Sequence, residues 1–287
     1  MKTKSEECGK AAREYFMKRI RFLLVMLAMA LALGLALAGC ASDPYDETFD
    51  VATAEQLASA FSQITDSGDY LINIKAPLTI TEAMTLNTGA NVTVKGASNP
   101  TEISSSTNGV FWANAGKITL ENLKITGGAG LVAVTNGTME IKNGVSVIGN
   151  GGSNGLYVGN TGGFIMSGGT VEGFSAGLAS ASPAREFTGK ITISGGIIRN
   201  CNIGIQLRDN TSNSTLTISG GDISGSDAGI GIGGSNNTVI ISGGKVSGGG
   251  VGVYVGSGSG HTVRKTGGTV TGGCGVADGA QATVTGF

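Results

Sequence analysis

One phrase of eight residues returns five times in the second half of the chain. It runs apolar, any, apolar, Ser or Thr, Gly, Gly, any, apolar. The copies begin at Phe164, Ile191, Leu216, Val239 and Val263, the last with Lys265 at an apolar place. Taking the hydroxyl residue as the phase marker gives Ser167, Ser194, Ser219, Ser242 and Thr266, at spacings of 27, 25, 23 and 24. Two weaker copies upstream put Glu121 and Lys142 at the marker, and Val92-Thr93-Val94-Lys95 reads as an earlier member. The mean period is near 24. Self-similarity of this length constrains the architecture before any single residue does.

Each unit holds two further apolar segments. One alternates over five residues, as in Ile203–Leu207, Ala228–Ile232 and Val251–Val255. The other follows Gly-Gly and is centred on Ile125, Val171, Ile198, Ile223, Val246 and Val270. Period-2 alternation marks half-buried strands. Three short strands in one unit bury no core alone, but stacked units place like side chains about 4.8 Å apart and form one continuous interior. The expected fold is therefore all-β: a single-stranded parallel β-helix of about 24 residues per coil over residues 70–287. Glycine makes up 51 of 287 residues but lacks the strict triplet of collagen. Only Gly220-Gly221-Asp222 resembles the calcium-binding nonapeptide repeat, and its period differs.

Residues 51–69 predict a capping helix. Thr53 and Gln56 have capping-box spacing, and Leu57, Ala60, Phe61 and Ile64 share one helical face. At the far end Lys265 stands where Ile193, Ile218 and Ile241 point inward, so either the last coil slips register or the core ends there. No cap follows it in the pattern, which leaves truncation or a frayed last coil as readings.

Residues 1–39 read as a signal peptide: an apolar run from Phe22 to Ala38 behind Lys18, Arg19 and Arg21, with Met17 as the expected start. It ends in Leu37-Ala38-Gly39-Cys40, which resembles the lipobox of bacterial lipoproteins. That resemblance implies cleavage before Cys40 and a lipid on its sulfur, so the membrane is a partner through Cys40. Ala41 after it implies the outer membrane or cell surface in a Gram-negative cell. Residues 40–50 are then the lipidated cysteine and an acidic tether. Residues 40–287 hold 12 Lys+Arg and 17 Asp+Glu, with no basic stripe, so nucleic acid is not expected as a partner. Cys201 and Cys274 fall three coils apart, too far for a disulfide. Cys274 aligns with Val251, Ala228 and Ile203 as a small core residue.

The repeat pattern resembles the right-handed β-helices of the pectate-lyase-like superfamily, over roughly 70–287. Many members cleave acidic polysaccharides. The Asn-Thr-Asp, Asp-Asp and Gly-His-Gly motifs of polygalacturonase-type members do not occur here, and the repeats hold few carboxylates for calcium. His261, the one histidine, sits among glycines and reads as an exposed loop residue. No catalytic residues, metal ligands or cofactors are assigned. Phe111–Asn114 and Gly127–Ala129 also resemble short motifs of a chlamydial-type autotransporter passenger family.

Two candidate ligand sites remain. Loops ahead of the marker strands bring Arg185, Glu186, Arg208 and Asp209 from adjacent units to one side, as a sugar-binding rim or as a solvated ion-pair group. The outward column of the alternating strand reads Val132, Tyr157, Ala179, Gln206, Gly231, Tyr254 and Ala277, with Tyr157 and Tyr254 placed to stack on sugar rings. The expected protein is a lipid-anchored cell-envelope β-helix that serves adhesion or binds a glycan or host ligand. The alternative is a polysaccharide lyase or hydrolase acting on a uronate glycan.

Overall fold

Met166, Ile193, Ile218 and Ile241 pair in register on neighbouring parallel strands, so Ser167, Ser194, Ser219 and Ser242 stack one above another. The structure, a computed structural model, describes residues 44–97, 100–106, 109–180 and 186–287. The apolar leader, Cys40 and Arg185 lie outside the described residues. The unit Tyr45–Phe287 is a parallel β-solenoid of about ten turns with about 23 residues each. Sheet A has eleven strands, from Glu47–Val51 to Ala282–Thr285. Sheets B and C have nine each, from Leu78–Ile80 to Thr269–Thr271 and from Met84–Leu86 to Cys274–Val276. From Asp69 on the chain runs through A, B and C and back to A. The step per coil varies from 21 residues (Lys117 to Thr138) to 27 (Gly163 to Lys190).

Alternation fills the interior. On sheet A the inward stack Ile72, Val94, Leu120, Ile141, Met166, Ile193, Ile218 and Ile241 is buried throughout. On sheet B the stack runs Ile103, Ile125, Val147, Val171, Ile198, Ile223 and Val246. Each such side chain contributes about 1.5–3 kcal/mol by burial.

The Gly-Gly pair turns the chain from sheet A to sheet B for two separate reasons. A Cβ on the first glycine would strike the serine carbonyl one coil back, at 2.5 Å for Gly195 and 2.2 Å for Gly220. The second glycine takes positive φ, 88° at Gly196 and 86° at Gly221. Ser167, Ser194 and Ser242 each donate from the hydroxyl to a carbonyl of the strand below, at 3.3–3.5 Å. This joint is three residues long in each of the last five coils. The loop from sheet C back to sheet A instead shortens from nine residues after Ser180 to seven after Leu207 and five thereafter.

The helix forms where expected, at Ala54–Gln63, with both halves of the capping box made by Thr53 and Gln56. Leu57, Ala60, Phe61 and Ile64 are buried, and the Phe61 ring lies 6.1 Å from that of Phe111. The helix packs on the first strands of sheets B and C, which start one coil later than sheet A. That extra sheet A strand corrects the sequence reading: Glu47–Val51 is not tether but pairs with Asp69–Ile74. Its alternation is hidden because Glu47, at the strand's start, takes a place on the side of the buried Val51 and of Phe49, while Asp50 faces outward. At the other end register is kept. Lys265 lies beside Ile241 and donates to the Gly286 carbonyl at 3.4 Å, and the core thins beyond Val263.

Candidate functional site

The outward column of sheet C holds the exposed aromatic side chains Trp112 and Tyr254. Its register is Thr85, Trp112, Ala133, Tyr157, Ala179, Gln206, Gly231, Tyr254, Gly275. Two positions of the sequence reading are corrected. Val132 points into the core, one residue out of phase in a short coil, and Ala277 lies beyond the last strand. Trp112, 38% exposed, is a third aromatic residue in the column.

Gly231 makes a notch in this face. Gln206 stands on one side and Tyr254, 42% exposed, on the other, about 10 Å apart at two strand spacings. The loops after the flanking strands rise beside the notch and close a groove of about 650 Å³, lined also by Arg208, Asp209 and Ser257. The rim and the tyrosine column, separate candidates in the sequence, thus meet in one place through Arg208, Asp209 and Tyr254.

Arg208 is anchored at both ends. Its N–H donates to Ser180 Oγ at 3.1 Å, and Nη2 donates to Asn154 Oδ1 at 2.9 Å. The side chain therefore crosses the strand Ala176–Ser180 to reach its partner two strands away. The ion pairs among the described residues lie elsewhere, as in Lys117–Glu140 at 2.6 Å and Arg199–Glu172 at 2.8 Å. None of them includes Arg208 or Asp209, and Arg185, the other cation of the expected group, lies outside the described residues. Arg208 instead offers a guanidinium to the groove, a group that binds carboxylates through paired N–H donors.

Asp209 accepts from Ser257 Oγ at 2.5 Å, two coils away. Glu186 is exposed and outside the groove lining, and its backbone carbonyl accepts from Asn160 N–H at 2.7 Å. Tyr157 is also outside the lining. Its hydroxyl is buried beside Gly159 and has no hydrogen-bond partner among the described residues.

His261 corrects the sequence reading most clearly. It is 1% exposed, because the strand His261–Lys265 begins with it and alternation sends it inward with Val263. Nδ1 accepts from Asn237 N–H at 3.3 Å and Nε2 donates to the Ser257 carbonyl at 3.0 Å. Both described cysteines are free. Burial pushes each thiol above its ordinary range. Cys274 pairs with Val253, not Val251, and is half-buried. Among the described residues no three His, Cys, Asp or Glu side chains converge as a metal site.

No family model matches the chain, and no curated protein matches it. Among solved structures, the chain resembles an alginate lyase from Paenibacillus sp. str. FPU-7 with a TM-score of 0.60 and 15% identity. The alignment covers 84% of this chain and 99% of that one. At that identity the likeness is one of fold, a parallel β-helix.

Proposed function

We propose that this chain is a polysaccharide lyase that acts on a uronate glycan in the Gly231 groove. The observation that carries the reading is Arg208: a guanidinium held by Asn154 at a groove flanked by Gln206 and Tyr254, with no carboxylate bound to it among the described residues. The fold it shares with an alginate lyase supports the same direction. In β-elimination a base takes the C5 proton beside the uronate carboxylate, the C4–O bond breaks, and the leaving oxygen gains a proton. The carboxylate must be neutralised for that proton to leave. Arg208 and the Gln206 amide suit that task, and the Tyr254 hydroxyl is the groove's candidate for proton transfer.

The second reading is glycan binding without turnover, as an adhesin would use. It is favoured by the groove lining, which holds neither Lys nor His among the described residues. One experiment separates the two. Residues 41–287 are incubated with alginate, polygalacturonate and hyaluronan, and ultraviolet absorbance of the new C4=C5 bond is followed. Turnover that Arg208→Ala lowers a hundredfold or more supports the lyase. Binding without absorbance supports the adhesin, and neither binding nor absorbance sinks both.

Lipid anchorage at Cys40 is part of the proposal, on the strength of the lipobox. Labelled palmitate should enter the full-length protein in cells and vanish with Cys40→Ala. Protease added to intact cells then reports whether the solenoid faces outward.

A further inference from the structure

A chain of buried polar groups runs beneath the groove. Ser180 and Thr211, both fully buried, share a hydrogen bond between hydroxyls, and Ser180 also holds the Arg208 N–H. Asn237, 0% exposed, uses its whole amide. Oδ1 accepts from the Ser214 N–H and hydroxyl at 3.1 and 2.8 Å. Nδ2 donates to the carbonyls of Thr211 and Gly233 at 3.0 and 2.8 Å. From Asn237 N–H the chain passes through the imidazole of His261 to the Ser257 carbonyl, and from the Ser257 hydroxyl to Asp209. Arg208, Asp209, Gly233 and Ser257, all groove residues, are each held by a member of this network.

The two ring nitrogens of His261 serve different ends. Nδ1 satisfies a backbone donor in the stack. Nε2–H reaches out to the turn that carries Ser257. This pattern requires the neutral Nε2–H tautomer, with one nitrogen accepting and the other donating. We propose that His261 is a positioning residue for the groove: its Nε2–H bond sets the Ser257 turn and, through the Ser257 hydroxyl, the Asp209 carboxylate. Asp209 then accepts hydrogen bonds from sugar hydroxyls at the rim. The inference rests on the groove being a glycan site.

A purely structural histidine would behave differently under two substitutions. His261→Asn keeps an acceptor near the Nδ1 place and removes the outer donor. His261→Gln carries an amide N–H toward the Nε2 place. Residues 41–287 of each variant are compared for urea unfolding, for backbone amide NMR shifts of Asp209, Ser257 and Gly258, and for affinity toward mannuronate and galacturonate hexamers. Both variants should lose stability. His261→Gln should bind within threefold of wild type, whereas His261→Asn should bind tenfold or more weakly and shift the three amides. Ser257→Ala, which leaves His261 in place, should weaken binding by the same factor as His261→Asn. Equal binding and equal shifts in Asn and Gln variants would overturn the proposal. If wild type binds neither hexamer the glycan reading fails, and the amide shifts alone still decide the role of His261. If neither His261 variant folds, wild-type affinity and unshifted amides in Ser257→Ala overturn it.

Discussion

The Ser257 hydroxyl reaches the Asp209 carboxylate across an intervening coil, and it does so over Gly233. A Cβ on Gly233 would lie 2.5 Å from Asp209 Oδ1 and 2.9 Å from Ser257 Oγ. The bare backbone at this place is what lets two loops close over a third. Gly233→Ala should part the pair, lower stability by about 1–3 kcal/mol through overpacking, and weaken glycan binding about tenfold. Urea unfolding and calorimetric titration read the two effects, and unchanged affinity would remove Asp209 from the site.

Gly231 offers the opposite case. It lies within a strand, and a Cβ there would meet Ile203 at 3.6 Å, an ordinary contact. Gly231→Leu should therefore fold normally while filling the notch between Gln206 and Tyr254. We expect stability within about 1 kcal/mol of wild type, as for surface changes free of strain. Binding and turnover should both fall at least tenfold, and full activity in this variant would move the site elsewhere.

Tyr157 carries a buried hydroxyl without a partner among the described residues. An unsatisfied buried polar group costs about 1–3 kcal/mol. Tyr157→Phe is expected to leave the urea midpoint unchanged or raise it. A clear loss of stability would mean that the hydroxyl is bonded after all.

Acid should loosen the helix-capped end. The Lys75 side chain, with help from Asn73, holds Asp50 below its ordinary 3.8, and helix N-terminal backbone and Thr53 hydrogen bonds hold Glu55 below 4.5. A depressed carboxyl stabilises the fold above its unfolded value, and that contribution is lost as pH falls through the folded value. Both groups are fully exposed, so the effect is small. Hydrogen exchange of residues 45–74, corrected for intrinsic rate, should show protection falling below about pH 4. The paired change Asp50→Asn, Glu55→Gln should flatten that dependence.

Alkylation tests the core around Cys201. Its thiol is 4% exposed, donates to the Arg199 carbonyl at 3.2 Å, and is pushed up by burial. In the fragment of residues 41–287, iodoacetamide at pH 8 should label Cys274 first and Cys201 only on unfolding. Equal labelling rates in the folded protein would contradict this packing.

Much of the stack is legible in the residues because register in a solenoid is set locally. The markers from Lys95 through Thr266 fall on stacked positions, weak copies included, since each inward Ile, Leu or Val before them must lie above its equivalent. Glu47–Val51 escapes the pattern because Glu47 takes a place on its apolar side and the strand's coil mate is a helix. The groove was half visible. Gln206, Gly231 and Tyr254 can be aligned from the runs that hold them, but no periodicity reveals that Arg208 folds back to Asn154. His261 illustrates the same limit. Glycines beside it suggest exposure, whereas the strand that begins with it turns the ring inward toward Asn237.

The three-residue joint between sheets A and B has a consequence for how such a chain can change. Because that corner keeps one length through the last five coils, residues added or lost there between sheets C and A do not shift the count of anything beyond them. The loops bearing Arg208, Asp209 and Ser257 occupy the free interval, at lengths of seven and five residues. A lineage built on this plan can redraft what it recognises, one loop at a time, while inheriting the scaffold unedited.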